Sequence, residues 1–167
     1  PYLISVSLLY FICVVFLFSL TGCSVSNADQ TPSLDLAALQ AKVKLDLPVR
    51  SASWEVFGTP EYKGGVPGPT DLQTLIAELV LTDVNFKSNS KLARAGEVFI
   101  APESPRGWLS PGFKRLMEQA RNSTEDMGRV HGCFRYDTNL VESGRAVNGF
   151  LCVSANRALL YLTLDRR

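Results

Sequence analysis

The stretch Gly149-Phe150-Leu151-Cys152-Val153-Ser154-Ala155-Asn156-Arg157-Ala158-Leu159-Leu160-Tyr161-Leu162-Thr163-Leu164 decides the fold. Two runs rich in aliphatic and aromatic residues flank the tripeptide Ala155-Asn156-Arg157, in which Asn tolerates positive φ. The segment therefore reads as two strands, 149–154 and 158–164, joined by a tight turn. Leu159 to Leu164 is apolar at most positions, which suits a strand covered on both faces. Upstream, Val130 to Tyr136 has the same strand character. Ser143-Gly144 turns the chain between that strand and Gly149–Ser154, which places Cys133 and Cys152 on neighbouring or facing strands.

Towards the N-terminus the pattern changes. Ser110-Pro111 is an N-cap and first-turn pair, and Phe113, Leu116, Met117 and Ala120 supply the buried side of a helix ending near Arg121. Glu97 to Ile100 is a short apolar strand stopped by Pro102, and Pro102 to Leu109 forms a rigid loop carrying Arg106 and Trp108. Thr70-Asp71-Leu72-Gln73 has the spacing of a capping box, and Leu72, Leu75, Ile76, Leu79 and Val80 recur at helical intervals. This predicts a helix from Asp71 to about Leu81, with a strand as the rival because Leu79-Val80-Leu81-Thr82 suits a sheet. Asp83 to Ala95 is polar and reads as a loop or ragged edge strand.

Gly58 to Pro69 is a loop of twelve residues dense in Gly and Pro. Arg50 to Phe57 alternates, with Ala52, Trp54 and Val56 on one face and Ser51, Ser53 and Glu55 on the other, as in a half-buried strand. Ser33 can cap a helix running to about Leu45, although Val43, Leu45 and Leu47 also alternate as a strand would. Together these elements predict an α+β fold, an antiparallel sheet packed on one side by two or three helices.

The start of the chain addresses the compartment. Leu3 to Leu20 is eighteen residues without a charge, between the length of a secretory apolar core and that of a spanning helix. It ends in Leu20-Thr21-Gly22-Cys23, which resembles the lipobox of bacterial lipoproteins. The resemblance implies that Cys23 is lipidated (palmitate or a related acyl chain) and that residues 1–22 are a signal peptide removed from the mature protein. Ser24, by that family's sorting pattern, favours the outer membrane facing the periplasm. The alternative is an uncleaved anchor with Cys23 idle. The chain begins Pro1-Tyr2 and its first basic residue is Lys42, so a few further residues are expected to precede it. Residues 23–33 are small and polar, the composition of a tether, and residues 34–167 read as a single domain.

Of 167 residues, 145 follow the signal segment, enough to enclose one core. All 17 basic and 16 acidic residues lie there, for a formal net charge of +1. That balance is not the footprint of nucleic-acid binding. Cys13 lies in the apolar run and Cys23 is the proposed lipid site, leaving Cys133 and Cys152. In an exported chain these have one intramolecular pairing, a disulfide, with two separate buried thiols as the alternative. His131 is the only histidine and the cysteines lack close-pair spacing, so no metal and no cofactor is expected.

No Gly-x-Ser-x-Gly elbow occurs, and no catalytic residue is assigned. The candidate binding residues are Tyr62, Asp71, Arg106 and Trp108, on or beside the two Pro-rich loops and of the types that anchor partners. Their structural alternative is a buried Trp108 covered by Arg106. The expected function is a lipid-anchored envelope protein whose domain binds or supports another component, an envelope protein or peptidoglycan, without catalysis. The alternative is an envelope hydrolase using His131 or the acidic residues Glu55, Glu61 and Asp71 near the first loop.

Overall fold

Burial on both faces of two central strands governs the architecture. The computed structural model describes residues 31–59, 72–83, 105–121 and 132–165. These form α1 (Leu36–Lys42), β1 (Val49–Thr59), β2 (Leu72–Leu81), α2 (Pro111–Ala120), β3 (Cys133–Asn139), β4 (Ala146–Ser154) and β5 (Arg157–Asp165). The strands make one antiparallel sheet in the order β1-β2-β5-β4-β3. A β1–β2 pair and a β3–β4–β5 meander thus meet at β2 and β5. The strand predicted at Glu97–Ile100 lies outside the described residues.

The helix expected over Asp71–Leu81 is instead strand β2. Every residue from Thr74 to Leu79 is buried, with Leu75, Ala77 and Leu79 in one apolar cluster and Ile76 in the other. A strand covered on both faces is apolar at nearly every position, so matches at helical spacing arise within it by default. Gln73, the supposed capping-box member, pairs with Gly58 and Leu164.

The helices were expected on one side of the sheet, and the two described ones lie on opposite faces. On the first face, Leu39 and Val43 pack with Trp54, Leu75, Leu79, Leu151, Leu160 and Leu162. On the second, Leu109, Phe113, Met117 and Ala120 pack with Ile76, Phe150, Leu159 and Tyr161. The physical reason is again the two-sided apolar character of β2 and β5, which one layer of helix would leave half exposed to water. Cys133 and Cys152 lie opposite each other on β3 and β4 with Cα atoms 4.1 Å apart, and they form a disulfide beneath α2.

α1 is shorter than the pattern suggested and is capped differently. Asp35, not Ser33, accepts from the amide of Ala38 at 2.9 Å. Ser33 instead exchanges two main-chain hydrogen bonds with Trp54 on β1, of 2.8 and 2.9 Å. The helix stops at Lys42 because Val43 is extended and bridges Leu140. Lys44 then donates its amide to the Asn139 carbonyl on β3 at 2.9 Å. Residues 33–44 therefore reach both edge strands of the sheet.

Two backbone features constrain the C-terminal meander. Ser154 pairs with Arg157 across a two-residue turn, and positive φ falls on Ala155, at 50°, rather than on Asn156 as its side-chain type suggested. At Gly149 an added Cβ would lie 1.8 Å from the carbonyl oxygen of Tyr161, so β4 and β5 approach at a distance that only glycine permits.

Candidate functional site

Charged side chains in an apolar layer need partners, and the second face of the sheet carries two carboxylates. Glu55 on β1 and Glu78 on β2 are both buried. Arg106, only 2 % exposed, donates through Nε to Glu55 Oε1, and its guanidinium carbon lies 4.0 Å from the centre of the Phe57 ring. Glu78 accepts from the Ser110 amide at 2.7 Å and from Arg157 Nη1 at 2.6 Å. Ser110 is the N-cap of α2 but makes no side-chain cap bond. The Glu78 carboxylate supplies the negative charge at that helix start instead. The segment 105–110 is thus fastened to the sheet at Arg106 and again at Ser110.

This arrangement locates two of the binding residues proposed from sequence, Arg106 and Trp108. Arg106 points into the sheet and its charge is committed to Glu55. Trp108 is half-buried and packs against the α2-side cluster, its indole Nε1 without a partner among the described residues. Tyr62, Asp71, Glu61 and His131 lie outside the described residues, as does Cys23. The structure therefore brings Arg106 together with Phe57, which the sequence had assigned only to the first strand, and with Glu55, which it had offered only as an acidic residue of the alternative hydrolase. One signal was available: an acidic residue inside the apolar run Leu72–Leu81, such as Glu78, implies a buried cationic or amide partner.

On the first face a groove of about 380 Å³ opens between α1 and the β3–β4 turn. Ala38, Ala41 and Lys42 form the helix wall, and Leu140, Glu142, Ser143 and Arg145 form the turn wall. Gln73 and Leu164 close it from the sheet. Main-chain hydrogen bonds hold both walls. Val141 donates to the Lys42 carbonyl at 3.1 Å, Leu140 to Arg145 at 2.8 Å and Gly144 to Leu140 at 2.9 Å, with Gly144 at φ +66°. The Asn139 side chain donates to the Gly144 carbonyl at 2.9 Å. The volume falls within the range of small-ligand sites.

Beyond the groove, under residues 43–47, the buried Tyr136 hydroxyl accepts from the Asp46 amide at 3.1 Å. Burial holds its phenol above the ordinary value of 10.0, and the nearby Asp46 carboxylate adds to this, while the Asp46 amide opposes it. Among the described residues no group of three His, Cys, Asp or Glu side chains is placed to hold a metal. Among them also, no helix is long and apolar enough to cross a membrane. Comparison with known protein families, with characterised proteins and with solved structures finds no match to this chain.

Proposed function

We propose that the chain is a bacterial envelope lipoprotein, anchored through a lipid on Cys23 and carrying a non-catalytic binding domain on a short tether. The observation that carries this reading is the uncharged run Leu3–Leu20 ending at Leu20-Thr21-Gly22-Cys23. The Cys133–Cys152 disulfide supports it, because such bonds persist in oxidising compartments and are rare in the cytosol. In this reading the protein sits in the outer membrane, faces the periplasm, and meets another envelope protein or peptidoglycan. Binding rather than catalysis is favoured by the state of Glu55, one of the acidic residues a hydrolase would use, since its charge is taken up by Arg106.

Ser33, the last residue of the proposed tether, pairs with Trp54 on β1. The test is metabolic labelling with a palmitate analogue. The parent incorporates label, and Cys23→Ala loses it and accumulates as the longer precursor. Normal labelling of Cys23→Ala overturns the anchor.

A further inference from the structure

The outer edge of β3 carries a run of unpaired main-chain groups. Leu140, just past the end of the strand, donates inwards to Arg145, and the even-numbered residues of β3 share that direction towards β4. The odd-numbered ones face outwards, as Asn139 shows by accepting from the Lys44 amide and Val141 by donating to the Lys42 carbonyl. Lys42 to Lys44 is therefore the stub of a sixth strand, antiparallel to β3. It goes no further, because the Asp46 amide turns to the Tyr136 hydroxyl and Leu47 enters the core. Beyond the stub, the outward N–H and C=O groups of Asp137, Arg135 and Cys133 have no main-chain partner among the described residues. On β1, the other edge, the corresponding run is interrupted at Trp54 by Ser33.

The disulfide from Cys133 to β4 and the β3–β4 ladder hold this edge extended before anything binds, which lowers the ordering cost of adding a strand. Its side chains define what that strand carries. Arg135 Nε donates to both Asp137 carboxylate oxygens, at 3.0 and 3.1 Å, and both residues are exposed. Tyr136, between them, is buried on the first face, and half-buried Phe134 shares that face. A wholly apolar strand would leave the two charges unanswered, which guards the edge against indiscriminate pairing. We infer that the outer edge of β3 takes up an extended segment of a partner protein as an antiparallel strand carrying a basic, an apolar and an acidic residue in that order. The basic residue lies opposite Asp137, the apolar one opposite Tyr136 and the acidic one opposite Arg135, so two ion pairs form across the strands. A second copy of this chain offers the same order in Arg135-Tyr136-Asp137, but its Cys133 would fall opposite Asn139, where Lys44 already sits. The occupant is therefore a different chain. The inference rests on the reading of the domain as a binding domain and makes its partner an envelope protein with an exposed extended segment.

The test uses the full chain in a neutral detergent, titrated with the capped peptide acetyl-Thr-Lys-Val-Glu-Thr-amide and followed by amide hydrogen exchange and calorimetry. Exchange of the outward Arg135 and Asp137 amides should slow, while that of Tyr136, already bonded to β4, should hold. N-methylation of the peptide's Lys or Glu amide, which face β3, should abolish the protection. N-methylation of its Val amide, which faces away, should leave it intact. The peptide with Lys and Glu exchanged should bind about two- to fivefold more weakly for each pair reversed. The double variant Arg135→Asp, Asp137→Arg should prefer the exchanged peptide, and its unfolding midpoint should match the parent's because both side chains are exposed.

Unchanged exchange at millimolar peptide overturns the inference, as does methylation that acts alike at all three positions or equal affinity for both peptide orders. A dimer in sedimentation without peptide, with the Arg135 and Asp137 amides protected, gives the edge to a second copy and also overturns it. Palmitate labelling of the same preparations separates this from the anchor. Labelled protein without peptide binding removes the edge proposal alone, and binding by unlabelled protein removes the anchor alone.

Discussion

Replacing Arg106 with Met tests whether this arginine fastens the fold or serves a ligand. Met retains much of the aliphatic stem and removes the charge. The Arg106 and Glu55 side chains are 2 % and 7 % exposed, so Arg106→Met leaves a carboxylate in a water-poor layer with its salt partner gone. Breaking a buried pair from one side costs about 3–5 kcal/mol, and the lost contact with Phe57 falls in the same direction. Typical domains have about 5–15 kcal/mol in total, so the single variant should unfold at much lower denaturant.

Glu55→Leu should be similarly costly because it strands the guanidinium. The pair Glu55→Leu with Arg106→Met removes both charges and should lie within about 1 kcal/mol of the parent, since a buried ion pair often has an apolar equivalent of comparable stability. Urea unfolding followed by the fluorescence of Trp54 and Trp108 gives the three differences, and losses of this size make the coupling in the cycle about 5 kcal/mol or more. Arg106→Met within about 1 kcal/mol of the parent would refute the reasoning. So would a double variant that loses the sum of the two single losses. If Arg106→Met fails to fold, recovery in the double variant still decides the question.

Three further outcomes follow from other parts of the structure. The double variant Cys133→Ala, Cys152→Ala should lose about 3 kcal/mol, the chain-entropy estimate for a loop with its ends 19 residues apart; thiol titration of the denatured, unreduced parent must first show both sulfurs blocked. Gly149→Ala should cost about 3 kcal/mol or more, because its Cβ would meet the Tyr161 carbonyl and force β4 away from β5; a urea midpoint matching the parent's would show that the strands yield freely. Tyr136→Phe removes an acceptor from the Asp46 amide and should cost about 1 kcal/mol near neutral pH. In the parent the folded state holds the Tyr136 proton more tightly than the unfolded chain does. That contribution is complete below the ordinary phenol value of 10.0 and is lost as pH rises through the higher folded-state value. The Phe variant should lack this part of the alkaline decline in stability measured by unfolding.

The C-terminal meander was legible because its signals are local. Gly144 and the Ala155-Asn156 pair mark turns, and the runs between them are strands whichever faces they bury. The α2 start was legible for the same reason, since Pro111 and Ser110 act within one turn. β2 was misread because its decisive property is not local: only the presence of layers on both sides explains why Thr74 to Leu79 are all buried. The same holds for the polar contacts. Arg106 and Glu55 are 51 residues apart and Glu78 and Arg157 are 79 apart, so no spacing rule joins them. The groove was invisible because its walls, α1 and the β3–β4 turn, come from distant parts of the chain.

The reach of residues 33–44 across the sheet has a mechanical consequence. Tension arriving along the chain from its N-terminal side is borne first by the two Ser33–Trp54 hydrogen bonds at β1, and next by α1 and the Val43–Leu140 bridge at β3. When that segment lifts, Trp54 loses its bond to the Asp35 carbonyl, Leu39 and Val43 leave the first face, and the outer rims of β1 and β3 open together. Unpaired strand rims recruit other strands. The load that detaches the segment therefore also makes the sheet adhesive, while the Cys133–Cys152 bond keeps β3 and β4 joined after the remainder has yielded.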